Sequence, residues 1–315
     1  MTRALITGVT GQDGSYLAEM LLARGDEVHG IVRSEAEVVT AGVSAHYLDL
    51  AGTTDLAHLV RDLRPDVIYN LAAVSSVFQS WEQPAVTARL NGVLVADLLA
   101  VVRELHAAGH ESRFIQASSA EIFGTPDESP QNEFTAIRPT SPYGAAKAYA
   151  HGLVGAYRAA GVFASSVILY NHESPRRPET FVTRKITAAA ARISLGLQDR
   201  LELGNLEARR DWGWAPDYVD ALARAASADE PGDYVIATGV AHSVGDFVRA
   251  AFERAGVADW RSHVRISDSL LRTGDAPEQA GDASHARASL GWAPTRGFED
   301  IVGAMVEADL ALASA

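Results

Sequence analysis

The first fourteen residues constrain this chain more than any other stretch. Arg3-Ala4-Leu5-Ile6-Thr7 is a short apolar run, and Gly8-Val9-Thr10-Gly11-Gln12-Asp13-Gly14 follows it without a gap. A helical pattern then runs from Ser15 to Ala23. The order is strand, glycine turn, helix. Gly8, Gly11 and Gly14 permit a tight turn and let backbone N–H groups approach a pyrophosphate, and the helix N-terminus adds a favourable partial charge. A glycine triplet alone is weak evidence. Directly after the first strand of a βα series it predicts a dinucleotide site, with Gln12 and Asp13 inside the turn.

The βα series is present. Short apolar runs at Arg3–Thr7, Glu27–Val32, Ala45–Leu48, Asp66–Asn70, Phe114–Ala117 and Ala164–Tyr170 read as strands. Helical patterns lie near Ser15–Ala23, Asp55–Leu63, Pro84–Leu105 and Gly144–Ala159. That alternation predicts an α/β fold, a doubly wound parallel (Rossmann) sheet. After Tyr170 the rhythm loosens, and 171–178 reads as a loop. Helices are expected at Phe181–Leu197, Asp217–Ala226, Val244–Ala255 and Phe298–Leu312, and a strand at Asp233–Ala237. The expected organisation is a dinucleotide-binding unit, 1–170 plus about 211–240, interleaved with a smaller substrate lobe, about 171–210 plus 241–315.

Composition narrows the function. Of 315 residues none is cysteine, which removes disulfides, thiolate metal sites and cysteine nucleophiles, and no metal site is expected. A reducing cytoplasm fits this. No apolar run approaches the roughly 20 residues of a membrane span, and the N-terminus is too short in its apolar part for a signal peptide. The net charge of −13 argues against a nucleic-acid partner. An anionic ligand would need local arginines, and Arg176-Arg177, Arg184-Lys185 and Arg209-Arg210 are such clusters or else solvated surface. Lysine is nearly absent. Only Lys147 and Lys185 remain, and an ammonium has a tunable pKa that a guanidinium lacks.

Lys147 stands four residues after Tyr143 in Ser141-Pro142-Tyr143-Gly144-Ala145-Ala146-Lys147. On a helix both side chains share a face, and the ammonium is expected to lower the phenol's pKa and make it a base near neutral pH. Ser118-Ser119-Ala120-Glu121 follows a strand, where ligands of open α/β sheets sit. Ser119 there can hold a sugar oxygen, and Glu121 supplies a second acid/base. Arg33, at the end of the second strand, suits the 2′-phosphate of NADP, or is a surface residue. Asp49 either accepts from an adenine amino group or caps the helix that follows.

These segments resemble the extended short-chain dehydrogenase/reductases: the glycine turn, Asn70-Leu71-Ala72-Ala73, Ser118–Gly124 and the Tyr143/Lys147 pair. Within that group the chain is similar to the GDP-mannose 4,6-dehydratases, most specifically in Asn171-His172-Glu173-Ser174-Pro175-Arg176-Arg177, Phe181–Ile186 and Leu203–Gly213. The resemblance implies conversion of GDP-mannose to GDP-4-keto-6-deoxymannose, by internal hydride transfer through bound NADP (NAD being the lesser alternative) and loss of water. It implies that Tyr143 serves O4, Glu121 serves C5 and O6, and Ser119 and Lys147 assist. It adds Leu50, Leu71, Ala72, Ala73, His172 and Arg177 to the cofactor site. Ser75, Asn171, Lys185, Arg209, Arg210 and Arg272 would hold the substrate. It also implies a homodimer through the helices near Pro84–Leu105 and Gly144–Ala159.

The chain departs from that pattern in a short Ser34–Ser44 segment, where the family's longer loop supports a tetramer and the NADP site. Leu94-Val95 replaces the family's Gly-Thr. Arg272-Thr273-Gly274-Asp275 replaces its Arg-Pro-x-Glu. A nucleotide-sugar 4-epimerase or keto-sugar reductase is the alternative, and Glu121 discriminates, since neither needs a base at C5. An idle dinucleotide-binding regulator is a third class, which the complete Ser119/Glu121/Tyr143/Lys147 set opposes.

Overall fold

The computed structural model describes residues 1–50, 53–270 and 276–314. Its strands are β1 Arg3–Thr7, β2 Glu27–Val32, β3 Ser44–Tyr47, β4 Val67–Asn70, β5 Arg113–Ser119, β6 Ala164–Leu169, β7 Asn171–Glu173, β8 Leu201–Leu203, β9 Arg209–Trp214, β10 Asp233–Ile236, β11 Ala241–Ser243, β12 Val264–Ile266 and β13 Glu278–Gln279. Its helices are α1 Gln12–Ala23, α2 Thr53–Leu63, α3 Val77–Glu82, α4 Pro84–Ala88, α5 Leu94–Ala107, α6 Pro142–Ala159, α7 Val182–Ser194, α8 Ala215–Ala226, α9 Val244–Arg254, α10 Trp260–His263, α11 Ser284–Leu290 and α12 Phe298–Ala313.

A seven-stranded sheet in the order β10-β6-β5-β4-β1-β2-β3 is parallel at every pairing. Its strands are near-continuous apolar runs because helices cover both faces. One face packs Leu56, Val60, Leu98, Leu99, Val102, Ala150 and Val154 from α2, α5 and α6. The other packs Leu17, Leu21, Tyr218, Val219 and Leu222 from α1 and α8. The strand order reverses between β1 and β4. At such a switch point the two following loops diverge and leave a crevice beyond the carboxyl ends. The loops there are the glycine turn and Leu71-Ala72-Ala73.

The chain 84–107 is one unbroken helix, α4 and α5 joined by a π-helical turn over Arg89–Val93. By length and composition alone it could cross a membrane. Half of its most apolar window is buried within the protein. Leu94, Val95, Leu98 and Leu99 sit in the core, which is the ordinary reason for a helix this apolar.

The smaller lobe is a core of Ile186, Trp212, Phe247, Phe252, Phe298, Ile301 and Met305 under α7, α9 and α12. The stretch 171–178, expected as loop, begins with β7, which pairs in parallel with β9. The segment 283–292 was expected in this lobe. Instead Ala283, Ala286 and Trp292 join the first sheet's core, and Trp292 donates from its indole N–H to Asp217 O at 2.7 Å.

A buried ion pair fixes the lobe to the chain leaving the sheet. Arg184 Nε donates to Asp309 Oδ1 at 2.8 Å, and Thr187 Oγ1 donates to Asp309 Oδ2 at 2.7 Å. The same guanidinium donates to the carbonyls of Pro175 and Arg177. Removing one partner strands a charge in a dry site, which costs about 3–5 kcal/mol. Asp309→Ala should therefore lower the unfolding free energy by that amount in urea titrations. A loss under about 1 kcal/mol would contradict the reading of a desolvated pair.

Candidate active site

The loops at the switch point and the smaller lobe enclose a cleft of about 620 Å³. At its floor the glycines act as the sequence requires. Gly8 has φ +71°, and a Cβ there would lie 2.9 Å from Ala72 N. A Cβ on Gly14 would lie 2.2 Å from Gly8 O, so the helix could not pack so close to the strand. Gly11 N-caps α1 without any side-chain cap, which leaves the first helical N–H groups for an anion.

The turn is held from the other lobe. Gln12 Nε2 donates to His172 O at 3.2 Å, and Ser174 Oγ donates to Gln12 Oε1 at 2.8 Å. His172 donates from Nδ1 to Tyr170 O at 2.7 Å and from Nε2 to Asp13 Oδ2 at 2.8 Å. Burial opposes the imidazolium, but Asp13 outweighs it and raises the His172 pKa. Burial likewise opposes the Asp13 carboxylate, and His172 and Gln12 bring its pKa below the ordinary value. Arg177 stacks on Phe181 with its Nε 3.3 Å from Glu173 Oε2. Burial pushes the Glu173 carboxyl up, with Arg177 and Thr183 opposing.

Tyr143 and Lys147 lie on the first turns of α6. Ser141 caps this helix by accepting from Gly144 N at 3.0 Å, and Pro142 occupies its first turn. Tyr143 N donates to Ser80 Oγ at 3.2 Å, so α3 fixes the entry of α6. Ser119 caps the single 3₁₀ turn that carries Glu121, accepting from Glu121 N at 3.3 Å.

The expectation of a lowered phenol pKa fails for the protein's own groups. Burial pushes Tyr143 up to about 12, against a hydrogen bond from Ser119, and Glu121 adds to the rise. Lys147 Nζ lies 5.9 Å from the centroid of the Tyr143 ring and donates to Ala117 O at 2.7 Å. Burial lowers Lys147 to about 8. Desolvation thus disfavours the charged form of both groups.

Of the sequence candidates, Asp13, Leu71, Ala73, Ser75, Ser119, Glu121, Tyr143, Lys147, Asn171, His172, Arg177, Lys185 and Arg210 line the cleft. Arg209 does not. Strand alternation on β9 turns it outward to Glu278, at 3.0 Å, while Arg210 turns inward and donates to Ala276 O at 2.9 Å. Leu50 is buried in the core beside Ile31. Asp49 is exposed after β3. Arg33 is 82% exposed after β2 and pairs with Glu37. Arg272 lies outside the described residues.

The cleft also holds residues that sequence reasoning passed over, among them Ser118, Glu173, Phe181 and Gln279. Ser118 Oγ and Gln279 Oε1 are buried without a hydrogen-bond partner. Ser118 was next to a chosen residue. Gln279 had no local signal, because only pairing with Arg210 across β13 and β9 brings it there. Cleft-lining residues with unused polar atoms, together with the glycine cradle, fit a polar dinucleotide.

A doubly wound sheet with a glycine turn, a Ser/Tyr/Lys set and a second lobe over the cleft defines an extended short-chain dehydrogenase/reductase. The family model described as GDP-mannose 4,6 dehydratase matches residues 5–305. GDP-mannose 4,6 dehydratase 2 of Arabidopsis thaliana is 44% identical, over 98% of this chain and 87% of its own. The Homo sapiens GDP-mannose 4,6 dehydratase is 41% identical, over 98% and 91%. Among solved structures, UDP-glucose 4-epimerase of Thermus thermophilus, complexed with NAD, superposes with TM-score 0.85 at 28% identity over 98% of both chains. RMD of Pseudomonas aeruginosa, complexed with NADPH, superposes with TM-score 0.81 at 23% identity over 99% and 100%. The chain belongs to the GDP-mannose 4,6-dehydratase family.

The lysine's burial is testable. Its fall from 10.5 to about 8 corresponds to about 3 kcal/mol at 1.36 kcal/mol per pH unit. The folded pKa is the lower one, so the unfolded chain binds the extra proton between pH 8 and 10.5 and stability rises with pH there. Lys147→Met avoids this cost and loses one hydrogen bond worth about 1 kcal/mol. It should be about 2 kcal/mol more stable than the parent chain at pH 7, with the gain vanishing by about pH 10.5. Urea unfolding at the two pH values checks this, and a gain that does not change with pH would refute it.

Proposed function

We propose that this chain is a GDP-mannose 4,6-dehydratase, converting GDP-mannose to GDP-4-keto-6-deoxymannose with loss of water. The observation that carries the reading is Glu121, brought beside Ser119 and Tyr143 in the cleft. A 4-epimerase or reductase requires the tyrosine alone. The sheet and its turn form the dinucleotide unit, and the smaller lobe with Asn171, Lys185 and Arg210 holds the nucleotide sugar. The outward faces of 84–107 and α6 expose Val86, Val93 and Tyr149, which supports a homodimer through these helices.

The residues divide the work by charge and reach. The glycine turn, Asp13, His172 and Arg177 hold the dinucleotide, whose nicotinamide supplies reversible hydride transfer. Ser119 orients the sugar's O4 toward Tyr143. Tyr143 takes the O4 proton, and Lys147, an ammonium at neutral pH, stands 5.9 Å from the centre of its ring. Once C4 is a ketone, the proton on C5 becomes acidic. Glu121 takes that proton and passes one to the departing O6 hydroxyl, so a single carboxyl completes the elimination. The Asn171, Lys185 and Arg210 side of the cleft holds the diphosphate end.

Purified protein should release a product lighter than GDP-mannose by one water, with NAD and NADP supplied in turn and no net reduction of either. Tyr143→Phe should lower kcat about 10²–10⁴-fold, the usual contribution of a positioned base. Glu121→Gln should still exchange hydride at C4 while eliminating at least about 10²-fold more slowly. Normal elimination by Glu121→Gln would sink the assignment of that residue. Turnover of a different nucleotide sugar without dehydration would sink the reaction.

A further inference from the structure

Two opposite charges stand where β2 opens onto the glycine turn. Arg33 is the first residue after the strand. Glu37 lies one turn further on, and its carboxylate folds back toward the cofactor turn. Its Oε1 accepts from Arg33 Nε at 3.0 Å and its Oε2 accepts from Thr10 Oγ1 at 2.8 Å. Thr10 belongs to the turn itself, between Gly8 and Gly11. The carboxylate is therefore fixed by two separate elements, and its side chain is only 20% exposed while Arg33 is 82% exposed. Burial opposes its charge, but the bonds from Thr10 and Arg33 hold the carboxyl below its usual range, so it is ionised at neutral pH.

In doubly wound dinucleotide folds the end of the second strand meets the adenosine ribose at its 2′ position. A carboxylate there accepts from the 2′-hydroxyl of NAD, and an arginine takes the 2′-phosphate of NADP. Here the acid is tied to the turn, and the arginine is tied to the acid. A 2′-phosphate, carrying a charge of about −1.5 to −2, would meet a guanidinium whose Nε is bound to Glu37 and would face that fixed negative charge. A 2′-hydroxyl would bring the donor that a carboxylate lacks.

We propose that Glu37 selects the cofactor: held by Thr10 and Arg33, its carboxylate accepts from the ribose 2′-hydroxyl and repels a 2′-phosphate, so that this chain binds NAD in preference to NADP. The proposal reverses the expectation drawn from Arg33 alone. It rests on the nicotinamide reading of the cleft and is independent of which sugar is turned over.

Calorimetric titration of the purified protein with NAD and with NADP tests it without any turnover. The parent chain should bind NAD more tightly. Glu37→Gln should lower the ratio Kd(NADP)/Kd(NAD) by at least fivefold with an unchanged melting temperature, and Glu37→Ala should do the same. A parent chain that binds NADP more tightly, or a ratio that changes less than fivefold, overturns the proposal and leaves the dehydratase reading intact. Failure to bind either dinucleotide overturns both.

Discussion

The hydroxyl of Thr7 makes three hydrogen bonds at the last residue of β1, and the cleft is built outward from it. It donates to Asn70 Oδ1 at 2.7 Å and accepts from Leu71 N and Ala72 N, each at 3.0 Å. Asn70 passes the chain on to Gln116 Oε1 at 2.8 Å, and Gln116 Nε2 donates to Ala117 O at 2.8 Å. Ala117 O is also the acceptor of Lys147 Nζ. One ladder of buried side chains thus crosses β1, β4 and β5 at their carboxyl ends and finishes at the lysine. Buried polar groups of this kind are costly unless every member is paired. Pairing them fixes the relative height of the three strand ends, and with it the glycine turn, the Leu71–Ala73 loop and the Ser118–Glu121 segment.

The second lobe is tied to this frame by polar contacts at the cofactor turn and beyond the sheet. Gln12 and Asp13 engage His172 and Ser174. Farther up, Asp211 on β9 accepts from Thr238 N, Thr238 Oγ1 and Gly239 N at 2.8, 2.7 and 2.8 Å, just beyond the end of β10. The glycine turn is therefore also the joint between the lobes. Arg184, by holding the carbonyls of Pro175 and Arg177, sets where Arg177 meets the cleft. Motifs far apart in sequence serve one geometry because each is the other's hydrogen-bond partner.

What was legible in the sequence follows from range of interaction. β1 and β2 have the expected ends because strand periodicity and glycine punctuation are local. Tyr143 and Lys147 share the cleft because helix geometry alone puts residues four apart on one face. The sheet of β7, β9, β11 and β13 was not legible, since its strands are short and each finds its partner across a long stretch of chain. Which of Arg209 and Arg210 faces inward depends on the phase of β9, which no local pattern sets. Arg33 was read alone, because the Glu37 contact and the Thr10 contact that ties Glu37 to the glycine turn come from the folded chain. The Tyr143 pKa was misjudged because burial has no sequence signature.

That last correction bears on how the site works. On the protein's own groups the favoured pairing near neutral pH is a neutral phenol beside an ammonium, with Tyr143 near 12 and Lys147 near 8. Desolvation opposes the phenolate, and a charge stranded in a dry site is expensive. Added positive charge in the cleft lowers that cost, and so does a hydroxyl donor, as Ser119 already does in part. An oxidised nicotinamide would bring one and the hydroxyl of a bound sugar the other. The phenolate would then be favoured only with cleft and ligands together, so that the same burial that weakens the base in isolation would tie its strength to the occupied site.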